Sequence, residues 1–245
     1  MIRAEKHPVL DKVIYWFFRR LTRSHFHAVY VAGADEIRQA DGDRPVIAYA
    51  NHSNWWDGIV LLLLTRLQRG KDFYCMMEEK QMQHYPFFRW LGAFSVDLGS
   101  RVRSAAAVRY AIRLLDSPRS FIWLFPQGKM VKASDPVEIM PGTDFLARKC
   151  PRAVMIPAVF RFQFGREQKP EIFIRIGTGY AAHENSAERM EKELKRLLDE
   201  LDADLRDGMI ESYEQLLSPR LSINKWWELL FRVLRGKWKG FEAGN

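Results

Sequence analysis

The sequence predicts an α/β fold: a largely parallel central sheet flanked by helices, with basic amphipathic helices at both termini. Three observations predict it. Short runs rich in β-branched and aromatic residues alternate with longer stretches of helical character, the pattern of strand–helix–strand units. The 245 residues contain no linker, low-complexity stretch or internal repeat, and they suffice for one large domain with a full core. The net charge of +8 is concentrated at the ends: residues 1–27 carry six Lys/Arg against two Asp/Glu, and residues 221–245 carry five against two.

In chain order, VIYWFFRRL (Val13 to Leu21) is an apolar, aromatic helix between charges. It is too short for a membrane span and lacks the small-residue cleavage pattern of a secretory signal. The far end, NKWWELLFRVLRGKWKGF, places Trp227, Leu230, Phe231, Leu234 and Trp238 on one helical face, with Lys225, Arg232, Arg235 and Lys239 largely off it. Helices with Trp/Phe on one face and Lys/Arg on the other lie in membrane interfaces, although the same stripe can also pack on a domain. The expected division is residues 1–27 as a membrane-associating helix, 28–220 as the central domain and 221–245 as a second basic helix. The expected partner is a surface bearing anionic lipid, with the protein peripheral on the cytoplasmic face of the membrane.

Within the central domain, HAVYVAGADEI (His27 to Ile37) reads as a strand and turn, PVIAYA (Pro45 to Ala50) as a buried strand, and Trp55 to Leu67 as a buried helix. DFYCMM (Asp72 to Met77) is a strand, and YPFFRWLGAF (Tyr85 to Phe94) a short aromatic helix ending at Gly92. Residues 102–115 form a helix, and SFIWLFPQGKM (Ser120 to Met130) a strand running into a loop. FLARKC suggests a helix, AVMIPAVFRF and EIFIRIG two strands, and Ser186 to Asp207 a charged helix.

The stretch YANHSNWWDGIVLLLL, residues 49–64, puts His52 and Asp57 at a strand-to-helix turn. Asn54 as N-cap, with Asp57 three residues on meeting free N–H groups, accounts for the carboxylate by capping alone. It does not account for His52. Both side chains can also point into the crevice beyond the strand ends, where ligands bind in open α/β sheets. FPQGKM (Phe125 to Met130) stands at the end of another apolar strand, and its backbone N–H groups could meet an anionic or hydroxyl-bearing ligand. LGAFSVD (Leu91 to Asp97) is followed by Arg101 and Arg103, guanidinium groups suited to a phosphate or simply solvated.

GTGYAA at Gly177 lacks the strand–turn–helix setting of a dinucleotide fingerprint. Only two cysteines occur, Cys75 and Cys150, so neither a disulfide framework nor a zinc site is expected, and no metal site is assigned. A G-x-S-x-G elbow is absent, which disfavours a serine hydrolase. Nucleic acid is not an expected partner, because the charge sits with interfacial aromatics at the termini.

Four blocks in order resemble the lysophospholipid acyltransferase family, which includes the glycerol-phosphate and lysophosphatidate acyltransferases. NHSNWWD (Asn51 to Asp57) is similar to its NHxxxxD block and LGAFSVD to its second block. FPQGKM stands where FPEGTR is expected, and MIPAVF (Met155 to Phe160) resembles the last block. The match covers most of residues 28–180. The resemblance implies acyl transfer from a thioester donor, acyl-coenzyme A or acyl carrier protein, to a lipid hydroxyl, with no resident cofactor. It implies His52 as general base oriented by Asp57, with Asn54, Arg101, Arg103, Phe125, Pro126, Gln127, Gly128, Lys129 and Pro157 as substrate-binding positions and N–H groups around Gly128 facing the oxyanion. The sequence departs from the family at Leu98, where an arginine usually follows the aspartate, and at Gln127 and Met130, in place of a glutamate and an arginine that help hold the glycerol-phosphate acceptor. The rival expectation is a catalytically silent lipid- or membrane-binding module of the same fold.

Overall fold

The computed structural model describes residues 1–40, 43–165, 167–218 and 231–232. Phe231 and Arg232 apart, the expected C-terminal basic helix lies outside the described residues. The elements are α1 (Pro8–His25), β1 (Val29–Ala32), α2 (Asp35–Arg38), β2 (Val46–Ala50), α3 (Asp57–Leu64), β3 (Asp72–Glu78), α4 (Glu79–His84), β4 (Ala93–Val96) and α5 (Arg101–Leu115). They continue with β5 (Ser120–Leu124), α6 (Pro141–Lys149), β6 (Val154–Gln163), β7 (Glu171–Ile176), β8 (Tyr180–Ala181), α7 (Ala187–Asp207) and β9 (Glu214–Leu217).

The strands form one sheet in the order β4-β3-β5-β2-β6-β7-β1-β9, with β8 beside β6. From β4 to β6 all neighbours run parallel, whereas β7 and β8 meet β6 antiparallel and β9 meets β1 antiparallel. Strand β2 sits between β5 and β6, and every residue of its VIAYA run is buried. A parallel strand covered on both faces needs such a continuous apolar run.

The residues of β2 alternate between two cores, as the two-residue period of a strand requires. Val46, Ala48 and Ala50 pack with Val60, Leu61 and Leu64 of α3, while Ile47 and Tyr49 pack with α5, α6 and α7 through Leu115, Leu146 and Leu194. Helix α7 starts at Ser186, whose hydroxyl accepts the Arg189 N–H (3.1 Å), and buries the stripe Met190, Leu194, Leu197 and Leu201. Ion pairs tie it to the sheet, Arg161 to Asp202 (2.8 Å) and Arg175 to both Glu200 (2.9 Å) and Asp204 (2.7 Å).

The aromatic segment after α4 is a 3-10 helix, Pro86–Leu91, that stops at Gly92 as the sequence suggests, and the chain then re-enters the sheet as β4, a strand the sequence reading did not assign. Gly92 makes the turn. Its φ of 99° is open to glycine, and a Cβ there would collide with the Phe73 carbonyl. Strands β8 and β9 are two and four residues long, too short for a recognisable alternation.

Helix α1 has two apolar faces. Phe18 is buried against Phe87 and Phe88, with ring centroids 5.9 and 6.1 Å away, and forms a small core with Ile59 and Leu62 of α3. Val9, Val13, Trp16 and Phe17 are exposed. The helix therefore packs on the domain and still presents an apolar stripe. Ahead of it the chain runs along the sheet edge, where Ser95 N–H donates to the Ile2 carbonyl (2.8 Å) and covers part of β4.

Candidate active site

The site forms where β2 leaves the sheet. Asn51 continues the pairing of β2 with β6 through its side chain: Oδ1 accepts the Phe160 N–H (2.8 Å) and Nδ2 donates to the Phe160 carbonyl (3.2 Å). The next residue, His52, is then gripped on both sides of its backbone. Its N–H donates to Gln127 Oε1 (2.7 Å), and its carbonyl accepts the Val131 N–H (2.9 Å). The imidazole stacks on Phe125, with centroids 4.1 Å apart and planes at 13°, and stays 20 % exposed.

His52 Nδ1 lies 2.9 Å from Asp57 Oδ2. That oxygen also accepts the N–H groups of Ser53 (2.7 Å) and Asn54 (2.8 Å). An oxygen that receives two N–H groups is an acceptor, so the bridging hydrogen belongs to Nδ1 and the lone pair of the neutral ring to Nε2. Asp57 is wholly buried, at 0 %, and stands at the first residue of α3, where the helix dipole favours negative charge. The expected capping is not made, because α3 begins at Asp57 with Trp56 at its N-cap and no side-chain cap bond; the carboxylate instead holds the turn ahead of the helix together with the imidazole. Its other oxygen, Oδ1, is buried with no hydrogen-bond partner among the described residues, which makes the three bonds to Oδ2 the compensation for burying the charge.

The other expected site residues divide into three groups. Asn54 shapes the turn: its Oδ1 accepts the Trp56 N–H (3.0 Å), two residues on, ahead of a helix that begins at Asp57. Phe125, Pro126, Gln127 and Gly128 form the wall beside His52. The buried Pro126 receives the Met140 N–H on its carbonyl (2.8 Å), and Gly128, with φ of 70°, closes a turn by donating its N–H to the Phe125 carbonyl (3.0 Å). The Gly128 N–H itself is thus spent inside the turn, and the expected oxyanion contact would fall to its neighbours in the loop.

Lys129 and Arg101 are exposed. Arg103 pairs with Asp97 (2.6 Å) in a separate cleft of about 390 Å³ at the ends of β3 and β4, lined also by Glu78, Lys80 and Gln83. That cleft shares no residue with the recess of Asn51, His52, Gln127, Val131 and Arg161. Pro157 lies within β6 opposite Tyr49, where a Cβ on Gly177 would be 3.0 Å from its ring and 2.9 Å from Leu197. It is buried on the α7 side of the sheet and belongs to the packing rather than to the His52 recess.

The sequence reading missed Asn51 as the clamp that sets the exit of β2. The available signal was a polar residue ending a wholly apolar strand, since an amide there has backbone groups of the next strand to satisfy. On the α7 side of the sheet, Tyr49 and Tyr180 hydroxyls meet at 2.9 Å, and burial pushes the Tyr180 hydroxyl up to about 12 and Tyr49 higher still. This pair stays neutral and serves packing. Among the described residues, no three His, Cys, Asp or Glu side chains converge to hold a metal.

The mostly parallel sheet thus sets an imidazole at the end of its central strand beside a buried carboxylate five residues on. The chain belongs to the Acyltransferase family, whose profile matches residues 28–161, more than half of its length. Among solved structures it is similar to the 1-acyl-sn-glycerophosphate (LPA) acyltransferase PlsC from Thermotoga maritima, with a TM-score of 0.55, 19 % identity and 79 % of each chain covered. The two share a fold. No curated protein matches the sequence.

Proposed function

We propose that this acyltransferase moves a fatty acyl group from a thioester, of coenzyme A or acyl carrier protein, to a hydroxyl of a lysophospholipid or related lipid. The observation that carries the reading is the 2.9 Å bond from His52 Nδ1 to Asp57, which leaves Nε2 of a partly exposed ring as the base. The acceptor O–H gives its proton to Nε2 as its oxygen attacks the thioester carbonyl. A C–O bond forms, the C–S bond breaks, and the departing thiolate takes the proton back. Asp57 holds the tautomer and stabilises the imidazolium, as the aspartate of a hydrolase triad does. The thioester is a co-substrate, and the residues named carry the proton transfer without a resident cofactor.

Fixing the imidazole by its bond to Asp57 and its stack on Phe125 is also what separates this reading from a silent lipid-binding module, which needs no oriented base. The test is thiol release from an acyl-coenzyme A with and without lipid acceptors. Acceptor-dependent release with formation of the acylated lipid supports transfer. Lipid binding with no release would favour the silent module.

The same reading places the protein on the cytoplasmic face of the membrane as a peripheral protein. No helix among the described residues is long and apolar enough to cross a membrane. The outer stripe of α1, Val9, Val13, Trp16 and Phe17 with exposed Lys12 and Arg20 beside it, has the chemistry of an interfacial helix. Each large apolar side chain it buries would contribute roughly 1.5 to 3 kcal/mol before ordering costs. Each cation near anionic lipid would add about 1 kcal/mol.

A further inference from the structure

Helix α5 carries a row of unpaired positive charge. Its sequence, RVRSAAAVRYAIRLL, contains four arginines and no carboxylate. Arg103 is paired with Asp97 (2.6 Å), but Arg101, Arg109 and Arg113 are exposed and form no ion pair among the described residues. Asp116, the C-cap, stands beyond Arg113 without an ion pair to it. Helix stability does not ask for this arrangement. A cation in the first turn faces the positive end of the helix dipole, and like charges four residues apart, as at Arg109 and Arg113, repel. On α7, by contrast, exposed charges pair along the helix, Lys195 with Asp199 (2.6 Å) and Arg196 with Glu200.

The row leads to the catalytic loop. Helix α5 starts where β4 leaves the sheet, and Leu98, just ahead of it, lies so close to the loop that a Cβ on Gly128 would be 3.6 Å from its Cδ1. The exposed Lys129 follows Gly128, and the same loop holds the His52 backbone through Gln127 and Val131. With a rise of about 1.5 Å per residue, Arg109 and Arg113 stand about 12 and 18 Å along the helix from Arg101. Guanidinium groups spread over that length do not converge on one phosphate or nucleotide. They suit a partner with carboxylates along a face of its own. Exposed apolar side chains stand on α5 and on α6 packed beside it, Val102 at 76 % and Phe145 at 44 %.

The bilayer is not that partner. Helix α1, with its exposed apolar stripe, packs on α3 on one face of the sheet, whereas α5 packs through Ala111 and Leu115 on the other. A membrane that meets α1 leaves α5 turned to solution.

We infer that α5 is the docking face for an acidic acyl carrier protein, which brings the acyl thioester to the catalytic turn on its prosthetic arm. This rests on the acyl-transfer reading and chooses its donor. Carboxylates of the carrier pair with Arg101, Arg109 and Arg113, and the arm runs past Leu98 and Lys129 toward His52. Complementary charge of this kind speeds encounter and selects the partner.

The experiment compares the full chain with its double variant Arg109→Glu, Arg113→Glu, two positions outside the His52 recess. One acyl chain is supplied on acyl carrier protein and on coenzyme A, with the same lysolipid acceptor. At low ionic strength the variant should lose about tenfold or more in kcat/KM with the carrier donor and stay within about twofold with coenzyme A. Its affinity for labelled carrier protein should fall by a similar factor, and the difference should shrink in about 1 M salt. Melting temperature and co-sedimentation with anionic vesicles should not change. A folded variant that keeps its carrier affinity and turnover overturns the inference alone, as does an equal loss with both donors. So does a carrier protein that neither binds nor donates while coenzyme A does. Lost vesicle binding with carrier turnover intact would assign α5 to the membrane and overturn the inference as well. Absence of acylated product with either donor overturns the acyl-transfer reading, and this inference with it.

Discussion

Asp57 holds the His52 imidazole with the same oxygen that receives the N–H groups of Ser53 and Asn54, so the turn and the base share one anchor. Replacing Asp57 therefore acts on structure and chemistry together. In Asp57→Asn the amide can present its N–H to the ring and favour the wrong tautomer. We predict a loss of about 10²-fold or more in kcat. Weakened bonds to the turn should also cost on the order of 1–3 kcal/mol of stability. Steady-state kinetics and a denaturant melt on the same preparation check both numbers.

Gln127 makes a second prediction through its bond to the His52 N–H (2.7 Å). Gln127→Glu keeps an acceptor oxygen but places a buried negative charge beside the imidazole. A carboxylate there favours the imidazolium, which cannot act as base, so the rising limb of the pH–rate profile should move to higher pH. Gln127→Ala removes the grip without the charge and should lower kcat with the limb unmoved. A limb that stays in place for the Glu variant would show that residue 127 does not face the reacting ring electrostatically.

The two faces of α1 should respond oppositely. Phe18→Ala opens a cavity between α1, α3 and the aromatic 3-10 turn and should cost about 3–5 kcal/mol in folding stability. Trp16→Glu with Phe17→Glu changes only exposed side chains, leaving the melting temperature nearly unchanged while weakening co-sedimentation with anionic vesicles. Unaltered vesicle binding in that double variant would remove α1 as the membrane-contacting surface.

The thiols give a pH dependence. Burial pushes Cys75 from its ordinary 9.0 up to about 12, and burial with nearby Asp116 pushes Cys150 up to about 11. The fold thus favours the neutral thiol. The resulting stability is complete below the unfolded value near 9 and is lost as pH rises toward the folded values. Both cysteines should react slowly with a thiolate-selective disulfide reagent at about pH 8 in the native protein and readily once it is unfolded. The urea midpoint should fall progressively above about pH 9.

Much of this was legible in the sequence because long elements carry their own periodicity. The buried run of β2, the stripe of α7 and the Ala-rich α5 stand where their patterns put them, and His52 and Asp57 meet as the strand-to-helix turn implied. What stayed hidden depends on contacts between distant segments. Nothing local in AFSV says that Gly92 turns the chain back beside β3, and the four residues of β9 are a strand only because β1 offers an edge. Nor could spacing reveal that Asn51 would borrow the backbone of Phe160, that Gly128 would spend its N–H on Phe125, or that Pro157 would face α7. Those facts follow from register, and register is a property of the assembled sheet.

The most direct test of the account is the turnover of His52→Ala. The side chain contributes no backbone bond, its ring is partly exposed, and both backbone contacts with Gln127 and Val131 survive its removal. The variant should fold and bind lipid as before, while acceptor-dependent thiol release falls by about 10²-fold or more. A folded His52→Ala protein that kept more than about a tenth of its turnover would contradict the general-base role, since that role is worth at least ~10²-fold.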